Sequence, residues 1–250
     1  MSSSIWTRCA GDSEIRPLRL MPWRVVESQH QVSTRKLVDS NAEQELLEQL
    51  IDRAKPPAFG EPRQHYLLTT PFRYPPLRHG SRFGTRLERG IWYGSDSLDT
   101  CFAEVAYYRL VFLEGTSADL GVLTNPLTAF RVNARTRRGV RLERAPFDAH
   151  RRAIASPSKY AATQTLGAAM REASVELFTY PSARHAGGVN VAAFTPAVFG
   201  RNRPRDLQPW HCMATRVAVE VTKRDYFGRA EFTFGRETFL VDGELPAPAA

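Results

Sequence analysis

The chain has few of the features that mark common ligand sites. Its 250 residues contain three cysteines, Cys9, Cys101 and Cys212. The number is odd and no two are close, which argues against a disulfide framework and leaves no CxxC or similar metal-ligand spacing. No metal site is expected, and Cys101 beside Phe102 reads as a small core residue. No GxGxxG follows a strand and no regular βαβα alternation runs through the chain, so a doubly wound dinucleotide-binding fold is disfavoured. No apolar run approaches the roughly 20 residues that cross a bilayer. The first twenty residues also lack the apolar stretch of a secretory signal, so a cytoplasmic protein without a membrane partner is expected. Carboxylates are in deficit: Asp and Glu number 26 against 34 Lys and Arg, a net charge of +8. The excess is nearly all arginine and is densest in RVNARTRRGVRLERAPFDAHRR, residues 131–152. Such a run suits a solvated surface, an anionic ligand or partner, or nucleic acid. No fingerprint of a nucleic-acid fold accompanies it, and direct nucleic-acid binding is not expected.

What is present reads as one α+β domain. A 42% hydrophobic and 24% charged composition is that of an ordinary globular chain, long enough for a sizeable core. Residues 1–22 are polar and irregular and suggest a loose arm. Ser40 or Asn41 caps a helix whose stripe of Leu46, Leu47, Leu50, Ile51 and Ala54 has helical spacing, with acids early, Arg53 and Lys55 late, and Pro56-Pro57 as the stop. That stripe predicts core packing. HYLLTTPFRY (from 65) and GIWYGS read as strands. Ser97 opens a second helix over about 98–114, closed by Gly115. Short β-prone runs follow, with RTRRG as a hairpin turn, a third helix from Ser156-Pro157 to about 173, and then VELFTYPS, NVAAFTPAVF and RVAVEV. A hairpin is expected around 225–228. The division is an N-terminal arm and helix (1–60), a domain (61–240) and a disordered tail (241–250).

Four places could carry chemistry. Glu104 lies among apolar and aromatic residues in FAEVAYY. A carboxylate there either pairs with a scaffold arginine, faces solvent, or lines a cleft opposite developing positive charge. Arg82, in HGSRFGT, has glycine on both sides and the fork geometry that suits phosphate, with Arg78, Arg86 and Arg89 as competitors. Tyr93 ends a short apolar strand just before the Ser97 cap, placed either in the core or against a flat ring with its hydroxyl in water. In TYPSARHAGGVN, Ser182 and Arg184 fall on a loop at a strand end. Ser182 lacks the GxSxG elbow of serine hydrolases and His185 has no specified carboxylate partner, so a ligand-positioning hydroxyl fits better than a nucleophile.

Together these segments resemble the RES family, named for an arginine, a glutamate and a serine. The arginine of its glycine-flanked motif corresponds to Arg82 in GSRFGT and the strand-end tyrosine to Tyr93 in IWYGS. The helix glutamate corresponds to Glu104 in TCFAEVAYY, and the late serine to Ser182 in YPSARHAGGVN. Phe83 stands where the family has tryptophan, and the match spans about 65–200. The resemblance implies an ADP-ribosyltransferase-like fold, a split β-sheet with flanking helices, here with an N-terminal helical extension. It implies a toxin of a toxin–antitoxin pair that consumes NAD by cleaving the nicotinamide–ribose bond, with water or phosphate as acceptor. NAD is then a substrate rather than a cofactor. Arg82, Tyr93 and Glu104 would be catalytic, and Ser182 and Arg184 would bind substrate. The implied partner is a helix-turn-helix antitoxin that blocks the cleft; self-association stays open. Two other readings are kept: transfer of ADP-ribose to a macromolecule, and non-enzymatic nucleic-acid binding through the basic run.

Overall fold

The computed structural model describes residues 4–28, 38–57, 63–74, 76, 79–225 and 228–247. Its strands are β1 (Arg16–Leu20), β2 (Trp23–Glu27), β3 (Trp92–Ser95), β4 (Leu123–Arg131), β5 (Ala134–Arg141), β6 (Leu177–Pro181), β7 (Val189–Ala193), β8 (Arg205–Ala214), β9 (Ala218–Asp225) and β10 (Gly228–Gly235). Its helices are α1 (Ile5–Arg8), α2 (Asn41–Ala54), α3 (Tyr66–Arg73), α4 (Leu98–Glu114), α5 (Arg151–Ile154) and α6 (Ala161–Glu172).

The strands form one sheet in the order β1-β5-β6-β7-β3-β2-β4-β8-β9-β10. Its middle is held by a single residue pair, Trp23 on β2 opposite Ser95 on β3. On either side the pairing is continuous, β3 with β7 and β2 with β4. The sheet is thereby split into two halves that meet at one point. Gly94 permits that meeting, because a Cβ there would stand 2.4 Å from the Trp23 carbonyl oxygen, inside any tolerable contact. This is the α+β architecture read from the sequence, with the split sheet and flanking helices that the family resemblance implies.

The two halves are covered by different helices. On α4, Phe102, Ala106, Leu110 and Leu113 pack against Leu127, Trp210, Val221 and Phe234 of the β4–β10 half. Ser97 fixes the start of this helix, its hydroxyl accepting from the Thr100 N–H at 3.2 Å, a cap that contributes about 1 kcal/mol. The other half is packed on both faces, as alternation along its strands requires. Phe178 and Ala192 join a core with Trp6 of α1 and Leu166 and Met170 of α6. Leu177, Val191 and Ala193 join one with Leu68 and Phe72 of α3 and with Phe199.

The structure departs from the sequence reading in several places. Residues expected as a loose arm supply core: Ile5, Trp6, Cys9 and Leu18 are buried, and β1 is a sheet edge paired with β5. The stretch read as strand HYLLTTPFRY is mostly helix α3. Leu68 and Phe72, four apart, share its buried face, and the Thr69 and Thr70 hydroxyls bond back to the Tyr66 carbonyl, so tertiary packing overrides β-propensity. Helix α2 has the expected Ser40 cap, yet none of its residues is buried; Leu46 and Leu50 are 56% and 51% exposed. RTRRG is strand rather than turn, since β1 and β6 pair along β5. The third helix begins at Ala161, after a turn in which the Ser156 hydroxyl accepts from the Lys159 N–H. Where a disordered tail was expected from 241, Val241 bridges to Glu244, Leu245 packs against the α4 core, and the Tyr107 hydroxyl donates to the Pro246 carbonyl. The tip of the expected 225–228 hairpin and residues 248–250 lie outside the described residues.

Candidate active site

The seam between the half-sheets opens into a cavity of about 790 Å³, lined by Arg24, Glu27, Ser81, Arg82, Tyr93, Ser95, Cys101, Glu104, Tyr108, Arg109, Tyr160, Tyr180 and Asn190, among others. Its walls follow from the fold: β2 and β3 form the seam, α4 crosses it, and β7 brings Asn190 alongside β3. Of the five residues singled out in the sequence, Arg82, Tyr93 and Glu104 line this space.

Glu104 is held by residues distant in sequence. Its Oε1 accepts from the Ser182 hydroxyl at 2.9 Å and from Asn190 Nδ2 at 2.7 Å. Oε2 accepts no hydrogen bond from the described residues. Both donors are themselves fixed. The Ser182 oxygen accepts from the Arg184 and His185 backbone N–H groups at 3.0 and 3.1 Å, which turns its proton toward the carboxylate. Asn190 Oδ1 accepts from the Ser95 hydroxyl at 2.7 Å, which sets the amide so that its NH2 faces Glu104. The serine loop packs directly on α4: the His185 ring meets the Thr100 hydroxyl at 2.9 Å, and a Cβ at Gly188 would stand 2.6 Å from that same oxygen. His185 thus bonds to Thr100 rather than to Ser182, and Ser182 is a positioning group for Glu104.

Arg184 is not brought to the cavity. It is buried, with Nη2 donating to the Pro157 carbonyl at 2.6 Å and its guanidinium 3.3 Å from the Tyr107 ring centroid. It anchors the serine loop from behind. Tyr93 does reach the site, but its hydroxyl is not in water. It donates to the Ser81 hydroxyl at 2.9 Å and accepts from the Phe83 N–H at 3.4 Å, tying the Ser81–Gly84 turn to β3. Burial pushes this phenol up to about 12.

Arg82 is the cavity arginine of its group. Arg86 and Arg89 are exposed and outside the lining, and Arg78 lies outside the described residues. Arg82 Nη1 donates to the Ile154 and Ser156 carbonyls at 3.2 and 2.7 Å, and the guanidinium lies over the Tyr160 ring at 4.6 Å. Its remaining N–H groups have no partner among the described residues.

The sequence reading missed Arg24 and Asn190. Arg24, on β2, lines the cavity 5.3 Å from the Trp92 ring centroid and donates from Nη1 to the Tyr93 carbonyl. Its Nε is sealed from solvent without a hydrogen-bond partner. No carboxylate pairs with it among the described residues, and burial lowers its pKa to about 10. A half-buried guanidinium without a counter-ion is unfavourable by itself and is relieved by an anion beside it. The local signal was PWRVV, a polar residue on a short strand whose burial depends on distant partners. Asn190 had a signal in the glycine-to-strand step of YPSARHAGGVN. Its role follows only from the β3–β7 pairing that sets it opposite Ser95.

Arginines at 24 and 82 and a pinned carboxylate at 104 make the cavity suited to a ligand with an anionic part and a part that develops positive charge. No curated protein matches the chain. Among solved structures it is similar to a chain of the M. tuberculosis MbcT–MbcA toxin–antitoxin complex, with 12% identity and a TM-score of 0.49 over 86% of this chain and 94% of that one, a likeness too distant to carry an argument. The RES domain family model matches residues 51–213, which include Arg82, Tyr93, Glu104, Ser182 and Asn190 but not Arg24. By that match over most of its length, the chain belongs to the RES domain family.

Proposed function

We propose that this protein is a RES-type toxin that destroys NAD by cleaving the nicotinamide–ribose bond. The observation that carries this reading is the state of Glu104: one oxygen is fixed by Ser182 and Asn190 while the other is left for substrate, in a cavity that also holds two arginines short of partners. A volume of about 790 Å³ falls in the range of pockets that enclose small ligands.

In the proposed reaction the C1′–N bond breaks and its electron pair goes to the nicotinamide ring, which leaves neutral. Positive charge grows on the ribose as an oxocarbenium-like ion. Glu104 stabilises that charge and holds a ribose hydroxyl through Oε2. It works from a fixed position because Ser182 and Asn190 bind the oxygen not used, so little reorganisation accompanies the step. Arg24 and Arg82 take the diphosphate, whose oxygens match their N–H forks. Tyr93 holds the Ser81–Gly84 turn that presents Arg82, and its ring is available to the nicotinamide face. An acceptor oxygen, from water or phosphate, then bonds to C1′ and releases its proton to solvent. The same reading places the protein in the cytoplasm with its substrate and gives it a helix-turn-helix antitoxin that blocks the cavity.

Purified protein incubated with NAD should release nicotinamide, in plain buffer if water is the acceptor and faster with phosphate if phosphate is. Intact NAD in both buffers overturns the proposal.

A further inference from the structure

A second cleft, sharing no lining residue with the first, opens where the β1–β2 turn, the β4–β5 turn and the loop before β8 converge. Its volume is about 730 Å³, and Arg19, Arg135, Arg201, Asn133 and Asn202 supply its polar lining, with no carboxylate among the described lining residues. We propose that it binds phosphate groups, apart from the chemistry at Glu104.

The first argument is electrostatic. Arg19 on β1 and Arg135 on β5 are directly opposite in antiparallel register, a placement that brings like charges together and destabilises a sheet. The pattern recurs nearby, with Arg131 of β4 opposite Arg205 of β8. Some arginines elsewhere do have acid partners, Arg109 with Glu27, Arg141 with Glu143, Arg171 with Glu88 and Arg236 with Glu114. The exposed side chains of Arg19, Arg135 and Arg201 make neither ion pair nor hydrogen bond with the described residues. Three guanidinium groups around one concavity are relieved by an anion between them, and their N–H forks match phosphate oxygens.

The second argument is that the cleft is built rather than incidental. Asn202 Nδ2 donates to the Asn133 carbonyl at 3.0 Å, locking the loop that carries Arg201 onto the β4–β5 turn. Gln64 Nε2 donates to the Gly200 carbonyl at 2.9 Å and holds the same loop from its other side. Of the arginine-rich run at 131–152, Arg135 thus acquires a definite place, in the cleft lining opposite Arg19. Phosphate could come from a small phosphorylated molecule or from a nucleic-acid backbone, and two probes separate them.

The full chain carrying Glu104→Gln is titrated with inorganic pyrophosphate and with a short labelled DNA duplex. At least one probe should bind. Arg135→Ser and Arg201→Ser should each weaken it by about tenfold, and for the duplex each should lower the slope of log K against log salt by about one. Arg86→Ser, an exposed arginine elsewhere, should leave binding unchanged. Binding of both probes identifies a nucleic-acid backbone; pyrophosphate alone identifies a small phosphorylated ligand. The proposal is overturned if neither probe binds, if Arg135→Ser and Arg201→Ser both bind like the parent, or if Arg86→Ser weakens binding as much as they do.

Discussion

Ser182 donates its hydroxyl proton to Glu104 Oε1 at 2.9 Å across 78 residues of sequence. Asn190 approaches the same oxygen at 2.7 Å, so one edge of the carboxylate is fixed while the other stays open to a ligand. Glu104 and Ser182 are therefore parts of one device, in which the serine aims the glutamate.

Glu104→Gln keeps the shape and an oxygen able to accept both bonds but removes the charge. Nicotinamide release should fall by at least about 100-fold, the scale of losing one preorganised transition-state contact, while the melting temperature changes little. A variant that retains more than a tenth of the parent rate refutes the role given to Glu104.

Ser182→Ala should act differently. It frees Glu104 and strands the Arg184 and His185 N–H groups that the serine oxygen accepts, so stability should drop by about 1–3 kcal/mol. In the fraction that remains folded, kcat should fall with little change in KM, because the acid is misaimed and the arginines are untouched. Ser182→Thr, which retains the hydroxyl, should restore much of the rate. A rise in KM alone would count against positioning.

Arg24→Met removes a cation whose Nε is sealed and unpartnered. Binding and stability should therefore move in opposite directions. KM for NAD should rise by about tenfold or more, as for a lost charge-assisted contact, while stability stays level or increases by about 1–4 kcal/mol. Loss of both together in calorimetry and kinetics would mean that Arg24 is purely structural.

Alkali should unfold the protein through its buried acids. Burial raises Cys101 from 9.0 to about 12 and Tyr93 from 10.0 to about 12. Above pH 9 the unfolded chain loses these protons before the folded one, so stability falls as pH rises from about 9 to 12. Arg24, lowered by burial to about 10, works the other way, but only above pH 10. Melting temperatures between pH 8 and 10 should decline, and Cys101→Ala should flatten that decline. An unchanged slope in the variant removes Cys101 from the account.

The two ends of residues 1–60 should differ in a way opposite to their sequence appearance. Trp6 is 6% exposed within the core, so Trp6→Ala should cost about 3–5 kcal/mol. Leu50, on the apolar stripe of α2, is 51% exposed, so Leu50→Glu should stay within about 0.5 kcal/mol of the parent. Denaturant unfolding of both variants decides the matter.

Much of the cavity wall that carries Tyr93 and Glu104 is legible locally. The Ser97 cap, the Gly115 stop and the Tyr93-to-Glu104 spacing placed β3 and α4 within a residue or so of where they lie, because caps and strand ends are written within a few residues. Helix α3 was misread because Thr, Phe and Tyr favour strands on average, and its packing partners are far away in the chain. The stripe on α2 marks an amphipathic helix wherever it occurs, but periodicity says nothing of what covers it.

The sequence by itself determined that a carboxylate stands on a helix just after a tyrosine-bearing strand, in a chain whose order of motifs matches the RES family. Only the tertiary structure decided that Ser182 and Asn190 converge on one oxygen of that carboxylate, that Arg184 faces away, and that Arg24, outside the matched family region, enters the cavity. The physical reason is the same in each case. Hydrogen-bond partnership and burial are properties of atoms brought together by strand pairing, here β7 against β3 and β3 against β2 at a single residue pair. No local pattern encodes which distant strand will arrive.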